Sequence, residues 1–248
     1  MPEPRDLVEG LERTATLPEG AEERFAGYGV MAAPFAAGHI LCMRRFPATS
    51  LGSPYTAVWH RDRGGSWTIY SDVSPDRACP RYFGSALHDA PVREIDLRWT
   101  GPRAFSIEMP GEPSLDWQVS LSPTVATRAM NVIGGLMPEP LWRNETVLRL
   151  MSGVATVALQ AGKLGLSGRA PNGQRFAANP KLIWTISQTR AVFGGQDFGP
   201  PGAVPEQARL GDFWIPQRGL FAIGGAFFEP FDSTRHVAAT SQATAGPN

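Results

Sequence analysis

The chain has 248 residues, 42% of them apolar, which is enough to bury a sizeable core and excludes disorder along most of its length. Its 23 basic and 23 acidic residues cancel, so it carries no electrostatic footprint for nucleic acid or an anionic membrane. The 27 Gly and 23 Pro make about a fifth of the chain, which predicts many turns and few long helices.

Residues 1–37 read as an N-terminal wrapping segment, charged at first and then small and Pro-broken, with a short helix over Asp6–Arg13. The first six residues, Met1 to Asp6, contain no apolar run of the kind a signal peptide needs. The least polar stretch, Gly29–Met43, is too short to span a bilayer. The expectation is a cytoplasmic protein without a membrane span.

Strands are predicted from Gly38 onward. His39–Phe46 is the first, and Tyr55–Arg61 and Ser66–Asp72 form a hairpin across Gly64-Gly65. A long loop, 74–84, follows. Then three runs alternate apolar and polar residues: Ile95–Trp99, Phe105–Met109 and Leu115–Leu121, each bounded by Gly/Pro turns. A period of two over three successive runs predicts an antiparallel meander with one buried face. Ser122 as N-cap and Pro123 at the first position predict a helix to about Ile133, ended by Gly134-Gly135. A second helix fits Leu141 to about Gln160. Lys163–Arg169 and Gln174–Ala178 flank an Asn172-Gly173 turn, and Lys181–Ser187, Arg190–Phe193, Asp212–Ile215 and Leu220–Phe228 complete the strands. The end of the chain, 236–248, is small and polar and reads as a disordered tail.

The expected fold is mostly β, or α+β: an antiparallel barrel or a two-lobed β-sandwich with two central helices. Residues 38–235 form a single β-rich domain in this reading. Its lobes would be 38–121 and 162–235, joined by helices within 122–161.

Several motifs are excluded by their context. His60-Arg61-Asp62 and Asp197-Phe198-Gly199 spell kinase signatures, but no Gly-rich loop and strand lysine accompany them. Four glycine pairs complete neither a dinucleotide-binding nor a P-loop pattern. Cys42 and Cys79 are the two cysteines, the four His are scattered, and no zinc spacing occurs. The reading is no metal and no cofactor.

Candidate site residues come from strands that are apolar on both faces, and from loops rich in Arg and aromatics. Such strands are buried on both sides or line a cavity, where polar groups need partners or a ligand. Arg44 shares a face with Ile40, Cys42 and Phe46; His60 lies opposite Tyr55 and Trp59 along its strand. His60 and Tyr70 are the candidate acid/base pair. Arg44, Trp59, Cys79, Arg81, Tyr82, Trp184, Gln217 and Arg218 are the candidate binding residues, with Arg81 or Arg218 as the anion anchor. Gly224 and Gly225, inside an apolar strand, mark a bulge, a bend or close approach of a ligand.

The two-lobed plan over roughly 38–235 resembles tandem lipocalin-like (calycin-type) proteins such as the carotenoid-hydratase-like family. The resemblance is one of architecture; no motif of that family occurs, so no catalytic residue is carried across. The expectation is a barrel that binds a small apolar or amphipathic molecule, as a carrier or as a cofactor-independent isomerase, hydratase or cyclase. The alternative is a non-catalytic interaction protein that uses the meander face or the helical unit, for instance as a homo-oligomer.

Overall fold

The computed structural model describes residues 2–238. Helix α1 (Pro4–Thr14) precedes strands β1 (Glu23–Pro34), β2 (Ile40–Thr49), β3 (Tyr55–Arg61) and β4 (Trp67–Ser71). A loop carrying the short helix α2 (Pro80–Phe83) leads to β5 (Asp96–Gly101), β6 (Ala104–Met109) and β7 (Leu115–Ser122). Helices α3 (Val125–Leu136) and α4 (Glu145–Leu159) come next. The chain continues through β8 (Ser167–Arg169), β9 (Arg175–Phe193), β10 (Gln196–Asp197), β11 (Arg209–Leu210), β12 (Phe213–Trp214) and β13 (Leu220–Phe228). Strands β11 and β12 pair with each other. The rest form one sheet, ordered β4-β3-β2-β1-β13-β9-β7-β6-β5, with β8 and β10 pairing on β9. The fold is α+β and mostly β: a large antiparallel sheet curled into a half-barrel, with two helices between its seventh and eighth strands.

The meander lies where the period of two predicts it, and β3 and β13 match the predicted strands Tyr55–Arg61 and Leu220–Phe228. Other elements differ, each for a physical reason. Residues 23–34, read as irregular wrapping, form β1 at the middle of the sheet between β2 and β13. Its Gly27 and Gly29, with a run of alanines, leave no period of two to read, and a strand buried on both faces has no wet face to reveal it. The three strands predicted within 174–193 are one 19-residue strand, β9. Pro180 sits within it at the register shift opposite Ile223 and Gly224, where a missing N–H is tolerated.

Helix α3 is capped by Thr124 rather than Ser122: the Thr124 side chain accepts the Thr127 N–H at 3.1 Å. It also runs through Gly134-Gly135. A Cβ at Gly134 would overlap the Lys181 carbonyl, so this glycine lets the helix backbone lie directly on β9. Helix α4 starts later than predicted, because Asn144 caps it through the N–H groups of Thr146 and Val147. His236, placed in the tail, is buried and bonds Glu229 at 3.0 Å. Residues 239–248 lie outside the described residues.

The sheet separates two cores. Tyr70 on β4 and Ile107 on β6 stand near opposite ends of the strand order, yet share one core with Tyr28, Trp117 and Phe221. Only a sheet that curls around this core brings them together. Val8 of α1 packs into it as well. The other face carries a second core around Phe25, Trp59, Tyr82 and Phe228, and a third where α4 meets Ile183 and Leu220. No helix among the described residues is long and apolar enough to cross a membrane.

The outer edge of β9 loses its β7 partner before Ile183, since β7 ends its pairing at Thr185. Asn131 of α3 takes the place of a strand there. Its Nδ2 donates to the Ile183 carbonyl at 3.0 Å, and its Oδ1 accepts the Ile183 N–H at 2.6 Å. Asn131→Ala leaves two buried backbone groups without partners, at a cost of about 2–4 kcal/mol. Urea denaturation should show that loss, with faster hydrogen exchange at the Ile183 amide.

Candidate functional site

A cavity of about 170 Å³ lies between the second face of the sheet and helices α3 and α4. Its floor is built from small residues: Gly27 on β1, Ala222, Gly224, Gly225 and Ala226 on β13, and Ala178 on β9. Gly27 and Gly224 are cross-strand partners. A Cβ at Gly27 would overlap the Arg45 carbonyl, and one at Gly224 the Asn179 carbonyl, so larger residues cannot enter without moving a strand. The roof is Met130 from α3 with Met151, Ala155 and Leu159 from α4. One wall is aromatic: Tyr82 stacks on Phe228 with ring centres 3.7 Å apart, and Phe25 meets both rings edge-on.

Polar groups gather at the end near β2 and β3. Arg44, 5% exposed, is the one charged side chain in the cavity wall among the described residues. Its Nη1 donates to the carbonyls of Val30 and Met43, and its Cζ lies 5.1 Å from the Trp59 ring centre. The Tyr55 hydroxyl and the Cys79 thiol are 3.4 Å apart. Burial pushes the Cys79 thiol up and the Tyr55 phenol well up, so both carry their protons at neutral pH. Trp59 Nε1 is buried with no hydrogen-bond partner.

The loop that brings Cys79, Tyr82 and Phe83 to the cavity is held by Glu23, at the start of β1. Its carboxylate accepts from Arg81 Nη2 at 2.6 Å, Tyr82 at 2.6 Å and Gln174 at 3.2 Å. Burial pushes this carboxyl up, but those bonds outweigh burial and hold it below the usual range.

Of the residues chosen from sequence, Arg44, Trp59, Cys79 and Tyr82 line this one cavity. Arg81 is spent on Glu23. Gln217 bonds the backbone of Val204, and Arg218 is exposed and reaches the Leu159 carbonyl at the end of α4. Trp184 packs in the first core, against Phe221. His60 and Tyr70 also lie on that opposite face: both rings pack on Phe193, at 4.3 and 6.0 Å. Strand alternation is the reason, since His60 follows Trp59 and must point the other way. The structure therefore does not bring the candidate acid/base pair to the cavity. Sequence reasoning missed Glu23, the Gly27 floor and the Met130 and Met151 roof. Tyr55 was visible as the alternation partner of Trp59. No three His, Cys, Asp or Glu side chains come together in a metal-holding group among the described residues.

No family model matches the chain, and none of the curated proteins matches it. Among solved structures, acetoacetate decarboxylase from Legionella pneumophila aligns with 91% of this chain and 90% of its own, at 10% identity and a TM-score of 0.36. A superposition this loose establishes no shared chemistry. None of the comparisons places the chain in the lipocalin-like family.

His60 forms a second buried feature with His39. His60 Nε2 and His39 Nδ1 are 3.1 Å apart, and both rings stack on Phe198. Burial, then the neighbouring His39, pushes His60 down to about 4. The folded state thus keeps His60 neutral, while an unfolded chain takes up its proton near pH 6.5. Stability from this residue is complete above about pH 6.5 and is lost as pH falls toward 4, by about 3 kcal/mol in all. Denaturation midpoints between pH 7 and 4 should fall more steeply for the native chain than for His60→Gln.

Proposed function

We propose that this protein binds a small apolar or amphipathic molecule in the cavity between the sheet and helices α3 and α4. The observation that carries this reading is the glycine and alanine floor under an otherwise aromatic and aliphatic enclosure. Well-packed interiors leave few voids larger than a water molecule. A void of about 170 Å³ is comparable to an engineered apolar cavity of roughly 150 Å³ that stays dry and takes up benzene. The size favours an occupant on the scale of one aromatic ring. The two roof methionines are flexible and can repack around a larger one. Trp59 and Trp214 stand in the wall, so occupancy should alter tryptophan fluorescence.

Titration with toluene, followed by that fluorescence, tests the reading. Ala155 faces the cavity from α4, and Ala155→Leu fills it without placing a polar group. The variant should remain folded and bind toluene at least tenfold more weakly; equal binding by the two proteins would discard this cavity as the site. Native mass spectrometry of freshly purified protein should also show a copurified small molecule.

A second reading is favoured by the outer side of the same helices. Val125, Leu136, Leu150 and Val157 are between 71% and 86% exposed. Large exposed apolar patches mark interaction surfaces. In this reading the two-helix unit seats on another copy of the chain. Light scattering should then show an assembly that Leu136→Glu with Val157→Glu returns to a monomer; a native chain that is already monomeric would exclude it.

A further inference from the structure

We propose that the Arg44 end of the cavity binds the carboxylate of a small aromatic or branched aliphatic acid, which rests on the cavity being the ligand site. Arg44 projects from β2, opposite Gly29 on β1 and Ala57 on β3, so its direct cross-strand partners carry at most a methyl group. Its guanidinium donates to the carbonyls of Val30, Met43 and Met31, the last at 3.4 Å. These bonds satisfy donors but leave the charge whole. Among the described residues no carboxylate pairs with it. The ionisable groups that bear on it are Cys42, Cys79 and Tyr55, all uncharged at neutral pH because burial raises each.

A buried cation without a counter-ion is costly, and removing one partner of such a pair leaves the same cost behind. An anion in the cavity would offset it. The groups around Arg44 suit an anion for a second reason. The Tyr55 hydroxyl and Cys79 thiol share one hydrogen bond at 3.4 Å, and either proton can turn to an acceptor placed between them and Arg44. No Asp, Glu, Asn or Gln side chain stands in the cavity wall among the described residues.

Charge and size then select within the anions. One guanidinium neutralises one negative charge, so a phosphate or dicarboxylate would bury a second charge with no partner. The remaining wall is apolar, and the volume fits about one ring. A carboxylate on a ring or a short branched chain meets all three conditions. The Trp59 face beside the guanidinium would pack against the body of the acid.

The test compares benzoate, benzamide and toluene on the full chain by calorimetry near pH 7. The three share a ring and differ in the head group. Benzoate should bind at least tenfold more tightly than benzamide, and the Arg44→Gln variant should bring benzoate down to the level of benzamide. The comparison on the native chain needs no variant, so it decides even where Arg44→Gln fails to fold. If toluene binds and benzoate gains nothing over benzamide, Arg44 is an architectural group bound to the Val30 and Met43 carbonyls, and the carboxylate assignment falls while the cavity reading stands. If none of the three binds, the cavity reading falls with it.

Discussion

Gly27 on β1 faces Gly224 on β13, and Gly29, Ala222, Gly225 and Ala226 lie close by on the same two strands. This missing side-chain volume is the constraint on which the rest of that face depends. A sheet with ordinary residues there would meet α4 in a filled interface. With the floor lowered, the helices rest on the rim instead, where Ile183 and Leu220 meet Ala155 and Leu159. Helix α3 reaches β9 through Gly134 and through Asn131, which takes the place of a strand at Ile183. The roof is thus held by backbone contact and a side-chain amide rather than by filling the space beneath it.

The two faces of the sheet divide the physical tasks. The inner face closes on a solid core with Trp117, Phe105 and Phe221 buried. Burial of several large aromatics supplies a favourable term on the order of 2 kcal/mol or more for each side chain. The outer face carries its own core around Phe25, Trp59, Tyr82 and Phe228, and leaves a void only beside it, under the helices. That division explains why His60 and Tyr70 pack with Phe193 while Trp59, one residue before His60, and Tyr55, at the start of the same strand, border open space.

Much of this was legible in the residues, and the failures have a common cause. The meander reads clearly because one face is wet, so Glu94, Asp96, Arg98 and Glu108 mark the alternation. The face shared by Arg44 and Cys42, and the opposition of His60 to Trp59, follow from the same period and are seen in the sheet. Strand β1 was hidden because the small residues that create the cavity also erase the alternation. Arg81, chosen as an anion anchor, is instead held by Glu23, which lies 58 residues earlier in that hidden strand. His60 and Arg44 each looked functional as polar groups in apolar strands; only the sheet's curl decides which face is filled and which is hollow.

Glu23 and Arg44, the one half-buried and the other buried, show what that difference means energetically. Glu23 has a guanidinium, a phenol and an amide directed at one carboxylate, and its exposed fraction is small. Each bond to a charged group contributes about 1.5–3 kcal/mol, which is enough to offset its desolvation and to pin the α2 loop to β1. Arg44 is buried more deeply, yet meets only neutral carbonyls and an aromatic face. The one charge is closed on itself and serves architecture. The other is left open toward a space that the glycine floor keeps empty, and the electrostatic imbalance and the missing volume occur at the same place.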